Sequence, residues 1–187
     1  MLVGKRRQGS VTDTMADDPT TDLSPSQIDR IDMVRYLILA AQREGARMMS
    51  ASLRALELNS AQEEVLEVVR RRGPLTLAEL GRALVCEVAS PSRLVDGLVR
   101  RGLIDRQRGS ADKRVVMLSL TREGEKADEA ALQIGGLRTE IAQRLSDEQI
   151  DQLAALLSPL VADTAAGVAV AERFPAMRAI RGAGATR

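Results

Sequence analysis

The stretch from Leu75 to Thr121 constrains this chain more than any other. It reads as two short helical patterns, then two strand-like runs on either side of a basic, glycine-containing turn. Thr76-Leu77-Ala78-Glu79 is a capping box, in which hydroxyl and carboxylate each satisfy a backbone N–H that the first helical turn leaves unpaired. It opens a short helix with Leu77, Leu80 and Leu84 on its inner face. Ser90-Pro91 reads as an N-cap followed by proline at the first helical position, where the missing N–H costs nothing. That helix runs to Arg101, turns Leu94, Val95, Leu98 and Val99 inward, and stops at Gly102. Residues 103–107 and 115–120 are the strands, the second rich in β-formers, and Arg108-Gly109-Ser110-Ala111-Asp112-Lys113-Arg114 joins them.

This is the layout of a winged helix-turn-helix, which places one helix in a DNA major groove and a β-hairpin beside it. Ser90, Pro91, Ser92 and Arg93 stand at the N-terminal end of the second helix. Hydroxyls and free amides there can take a phosphate, and an arginine can bond two acceptors on guanine. In the wing, Arg106, Arg108, Lys113 and Arg114 can reach a minor groove, where narrowed phosphate walls concentrate negative potential. Asp112 reads as a partner that orients a neighbouring arginine. Charge agrees: residues 70–114 hold 11 Lys/Arg against 5 Asp/Glu, on a chain whose formal net charge is only +1. Taken alone, the basic block reads equally as a solvated face, and the helix as an ordinary capped surface helix.

The flanking segments read as helical. Ile28, Ile31, Val34, Ile38 and Ala41 repeat at spacings of three and four, predicting a helix over roughly 26–56 with Gly45 as its weak point. Ser60 with Glu63 reads as a capping box opening a second helix, which Gly73-Pro74 ends. Thr121 caps a helix over roughly 122–144, bent at Gly135-Gly136. Ser146 and Gln149 open a last long helix, which Pro159 kinks or ends. The predicted fold class is mostly α with a small β-hairpin wing. Its organisation is a disordered arm (1–25), a domain over 26–172, and a flexible tail (173–187). Within the domain, a winged helix (60–121) stands between dimerisation helices (26–56 and 122–172). Met15 is an alternative start. With aromatics at 1% of residues the core must be aliphatic. A helix as long as the first carries more apolar surface than one small core can cover, which predicts pairing with a second copy.

Absences narrow the function. A chain with no histidine and one cysteine cannot build imidazole or paired-thiolate metal sites, nor Ser-His or Cys-His nucleophiles. No phosphate-cradling glycine loop is present. No enzyme activity, metal or cofactor is expected. No apolar run is long enough to span a membrane, and the N-terminus lacks the apolar core of a secretory signal, so the expected location is the cytoplasm, on the nucleoid when bound to DNA.

Over roughly residues 28–165 the chain resembles the MarR (multiple-antibiotic-resistance) family of bacterial transcription regulators. The resemblance rests on Leu75–Leu84, on Ser92-Arg93-Leu94-Val95-Asp96-Gly97-Leu98-Val99-Arg100-Arg101-Gly102-Leu103-Ile104, on the wing signature Asp112-Lys113-Arg114, and on Leu118–Gly124. It implies a homodimeric regulator that binds a palindromic double-stranded operator, usually as a repressor, and leaves DNA on binding a small aromatic or phenolic compound. It implies that Arg114 enters the minor groove, braced by Asp112. Family recognition helices usually start about a turn before Ser90, so Glu87, Val88 and Ala89 stand as alternative helical residues. Met33, Tyr36, Arg47 and Met48 are candidate lining for an effector pocket, or else packing residues. Cys86, before the recognition helix, is either a redox lever or a buried inert thiol. A winged helix serving protein contacts without DNA is the alternative from another class.

Overall fold

The computed structural model describes residues 23–85, 90–109, 114–133 and 136–175. They fall into two compact units divided after Ala41. In chain order the elements are α1 (Pro25–Leu53), a 3-10 turn (Arg54–Leu56), α2 (Ser60–Arg72), β1 (Leu75–Thr76), α3 (Leu77–Ala83) and α4 (Pro91–Arg100). The chain continues through β2 (Ile104–Arg108), β3 (Val116–Leu120), α5 (Arg122–Gln133), α6 (Gly136–Arg144), α7 (Asp147–Val161) and α8 (Ala165–Arg173).

The first unit holds α1 up to Ala41. The helical periodicity of Ile28, Ile31, Val34 and Ile38 is realised, yet all four side chains are exposed, as are Met33, Tyr36, Leu37 and Leu39. Residues 1–22 of the predicted arm lie outside the described residues, and α1 already begins at Pro25.

The second unit owns the core. Leu53, Val65, Leu66, Val68, Leu80, Val95 and Leu98 are fully buried, with Ile104 and Leu118 nearly so. Helices α2, α3 and α4 and the sheet thus meet on one aliphatic centre, as a chain almost without aromatics requires. The sheet is antiparallel in the order β1-β3-β2. Leu75 faces Leu118 across one pair, and Ile104 faces Leu120 and Arg108 faces Val116 across the other. Strand β1 is two residues long and escapes periodicity, so the sequence predicts only the hairpin.

One helix start and one helical glycine differ from expectation. The cap of α2 is Asn59 and not Ser60: Asn59 Oδ1 accepts the Gln62 N–H at 2.9 Å, and Gln62 Oε1 accepts the Asn59 N–H at 3.1 Å. Asparagine caps as well as serine, so the earlier residue takes the role and Glu63 turns into the protein, where it is buried. Gly45, expected to be a weak point, is instead a close-packing site. A Cβ there would lie 2.8 Å from Leu137 Cδ2 and 3.2 Å from Leu137 Cβ. The remaining caps follow the sequence: Thr76 with Glu79, Ser90 before Pro91, and Ser146 with Gln149. Helix α5 ends at Gln133 and α6 begins at Gly136, whose φ of +55° marks the predicted break. Pro159 lies inside α7, which ends two residues later. Arg173, placed by the sequence at the start of a flexible tail, closes α8, with its side chain 10% exposed. Among the described residues no helix is long and apolar enough to cross a membrane.

Candidate nucleic-acid interface

Helix α3 is held at its start by Thr76, whose N–H and hydroxyl both donate to Glu79 Oε2 at 2.7 and 2.8 Å. These bonds hold the Glu79 carboxyl below its ordinary pKa. Helix α4 opens at Ser90, whose extended backbone (φ −159°) and Oγ, accepting the Arg93 N–H at 3.4 Å, fix its first turn. Pro91 occupies the first helical position, as the sequence predicts. Because Ser90 is extended, the helix begins at Pro91. Cys86, Glu87, Val88 and Ala89, including the alternative earlier start and the candidate redox thiol, lie outside the described residues.

Burying Val95 and Leu98 turns the opposite side of α4 outward. Ser92 and Arg93 are exposed, and among the described residues the Arg93 guanidinium has no hydrogen-bond or ion-pair partner. Arg101, which ends the same basic run, is turned away from this face. Its guanidinium donates to the carbonyls of Glu57 at 2.7 Å and Leu56 at 3.1 Å, tying α4 to the turn after α1. Leu56 and Glu57 carry no sequence signal for that contact.

The wing is the β2–β3 hairpin. Gly109 N–H donates to Val115 O at 2.8 Å, continuing the ladder beyond Arg108. Arg108 is exposed and unpaired among the described residues. Arg106 is not free: its Nη2 lies 2.6 Å from Asp96 Oδ1, so α4 and β2 are joined by an ion pair. Arg114 is exposed in the turn that leads into β3. Asp112 and Lys113 lie outside the described residues, so the bracing of Arg114 by Asp112 has no geometry here. Ser90, Pro91, Ser92 and Arg93 are brought together on one helical turn. Arg106 is held against that helix, Arg108 ends β2, and Arg114 lies in the turn two residues before β3.

Of the candidate effector residues, Met33 and Tyr36 lie in the first unit, each 58% exposed, with the Arg35 guanidinium 4.2 Å above the Tyr36 ring. Arg47 and Met48 lie in the second, Arg47 ion-paired to Glu44 and Met48 half-buried.

Sequence reasoning missed a cluster of charges behind the interface. Glu63, Glu64 and Glu67 of α2 and Asp128 of α5 are all buried. Arg70 pairs with Asp128, Arg71 with Glu67 at 3.0 Å, Arg138 with Glu67 at 3.7 Å, and Arg173 with Glu64 and, at 3.6 Å, Glu67. Burial raises the Asp128 pKa and pushes Glu63, which also faces the negative Glu67, up to about 7. Four acids on two segments look like solvated helix faces until the partner arginines are placed.

A capped helix with a polar leading turn, preceded by a second helix and followed by a basic hairpin, defines a winged helix-turn-helix of the DNA-binding kind. The MarR family model matches residues 58–116, the span of this head from α2 to the start of β3. The multiple antibiotic resistance protein MarR of Salmonella typhimurium is 28% identical over 127 residues, 67% of this chain and 88% of that one. The organic hydroperoxide resistance transcriptional regulator of Bacillus subtilis is 27% identical over 126 residues, 67% and 85% of the two chains. Among solved structures, a mutant MarR from E. coli complexed with operator DNA aligns with a TM-score of 0.60 at 27% identity, covering 72% of this chain and 97% of that one. In the sequence of its head and in its fold, the chain is similar to the MarR family of winged-helix transcription regulators.

Proposed function

We propose that this protein is a homodimeric repressor that binds a palindromic operator in double-stranded DNA and leaves it on binding a small aromatic or phenolic compound. The observation that carries DNA reading is the leading turn of α4, where Ser92 and Arg93, unpaired among the described residues, are exposed beside the Ser90 cap. In this reading Ser90, Ser92 and Arg93 address base edges and phosphates, and Pro91 stiffens the turn that presents them. Arg108, Lys113 and Arg114 act from the wing, with Asp112 bracing Arg114, and Arg106 reaches DNA from its seat on Asp96. The E. coli relative in complex with operator DNA supports the same use of this head.

Pairing is supported by apolar surface left open on each unit: Ile28, Ile31, Val34, Leu37 and Ile38 on α1, and Leu153, Leu156 and Leu160 on α7. That much exposed aliphatic surface on a single chain favours a second copy, and two-fold symmetry would then require a palindromic site. Effector binding is assigned to Met33, Tyr36, Arg47 and Met48, and the protein is placed in the cytoplasm, on the nucleoid when DNA-bound.

The test combines mobility shifts on DNA upstream of the coding region with light scattering. A salt-sensitive, sequence-specific complex with a dimer's mass, dissociated by at least one member of a phenolic-acid panel, is expected. Absence of a specific complex at physiological salt sinks the operator reading. A monomer at micromolar concentration sinks the dimer.

A further inference from the structure

The last residue of α8 reaches into the DNA-binding head. Arg173 donates from Nη2 to the carbonyl of Ala83, the final residue of α3, at 3.0 Å, and the same nitrogen pairs with Glu64 of α2. The other oxygen-bearing partner in reach is Glu67, 3.6 Å from Nη1. Glu64 Oε1 in turn accepts the backbone N–H of Val85 at 2.7 Å. One guanidinium and one carboxylate therefore satisfy two backbone groups on either side of Leu84, where the chain leaves α3 on its way to α4.

The surroundings show that this brace is built into the packing. Ala169 and Ala171 of α8, small residues shortly before its terminal arginine, are both buried. Glu172 pairs with Arg72 of α2 at 2.6 Å and lies 4.0 Å from Arg82 of α3. A cation at the carbonyl end of α3 takes an acceptor that the helix leaves unpaired. Burying Arg173 and Glu64 is costly unless their hydrogen bonds are made, which ties both side chains to this one geometry.

We infer that Arg173 is a positioning residue for DNA recognition, acting through Glu64 and the Ala83 and Val85 backbone to set where the recognition helix begins. The inference rests on reading α4 as the DNA-reading helix. Phosphate attraction needs only the wing and surface cations, whereas base reading needs α4 to be placed correctly, so the two forms of binding should separate.

The test is R173M, together with E64Q/R173M, which also removes the buried negative charge that Arg173 balances, in case the single variant folds poorly. Operator and random-sequence affinities, thermal midpoint, and hydrogen exchange at the Val85 amide are measured for each. The expected result in the folded variant is an operator affinity about tenfold or more weaker, random-sequence affinity within about twofold of the parent, and Val85 exchange in R173M about tenfold faster. Unchanged operator affinity in a folded variant overturns the inference, as does a parallel fall on both DNAs. Failure of the parent protein to prefer its operator would count against the repressor reading, while slow parental and fast R173M exchange at Val85 would still establish the brace itself.

Discussion

Gly124 is the third residue of α5, and its replacement by alanine gives two physical arguments opposite signs. Helix propensity alone predicts that Gly124→Ala stabilises by about 1 kcal/mol. The packing predicts the reverse. A Cβ at Gly124 would stand 2.0 Å from the Leu103 carbonyl oxygen, against an ordinary carbon-to-oxygen approach of roughly 3.3–3.6 Å. Relief requires the start of α5 and the entry to β2 to part by more than about 1 Å, which overpacking series put at about 1–3 kcal/mol or more. The same seam holds two hydrogen bonds, Thr121 N–H to Leu103 O at 3.1 Å and Thr121 Oγ1–H to Gly102 O at 2.6 Å. Loosening both adds about 1 kcal/mol each. The expected loss is about 3–5 kcal/mol, lowering the midpoint by about 10 °C or more for a chain of this size. Urea unfolding and calorimetry at one fixed protein concentration measure it, since association also shifts apparent stability. A loss below about 1 kcal/mol, or any gain, would refute the close-approach argument and leave propensity in charge.

Other expectations follow from the charges and caps. Glu63 has its pKa raised to about 7 by burial and by Glu67, with Glu64 and Asp128 adding to the rise and Arg138 opposing it. The folded state therefore holds this proton more tightly than the unfolded chain, so its stabilising contribution is complete below about pH 4.5 and fades as pH climbs through 7. Glu63→Gln should gain on the parent by up to about 2 kcal/mol at pH 8, with the gap narrowing toward pH 5 in paired urea titrations; a constant gap would contradict the assignment. Asp96→Asn frees Arg106 and should steepen the salt dependence of DNA binding by about one phosphate contact, read from affinities between 50 and 200 mM salt; an unchanged slope would mean Arg106 already reaches phosphate. Arg93→Ala should cost about 1–3 kcal/mol on operator and relax specificity at one position per half-site, in binding to single-base operator variants. Asn59→Ala should lose about 1 kcal/mol in urea unfolding, more than Ser60→Ala, because Asn59 makes the cap.

Local signals carried most of the head's architecture. Thr76, Ser90, Thr121 and Ser146 sit one step before apolar periodicity begins, and each caps where the side chain alone says it should. Asn59 next to Ser60 shows where such reading fails: two residues compete for one role, and the loser's register decides whether Glu63 faces water or core. Long-range features were silent. Arg101 looks like one more surface cation in a basic run, and Arg173 like the start of an alanine- and arginine-rich tail, until the carbonyls of Leu56, Glu57 and Ala83 arrive from elsewhere in the chain. Gly45 and Gly124 have helical positions that propensity penalises, and only the approach of Leu137 or Leu103 explains them.

Tyr36 has a practical consequence. It is the sole tyrosine of a chain without tryptophan, and it stands exposed on α1 with Arg35 over its ring, far in kind from the aliphatic residues that make up the core. Its ultraviolet emission is therefore nearly blind to the melting of that core and sensitive to whatever comes to lie on its own stretch of helix. Under the proposed pairing, a titration that dims or shifts this one signal would follow the covering of α1 without any added label.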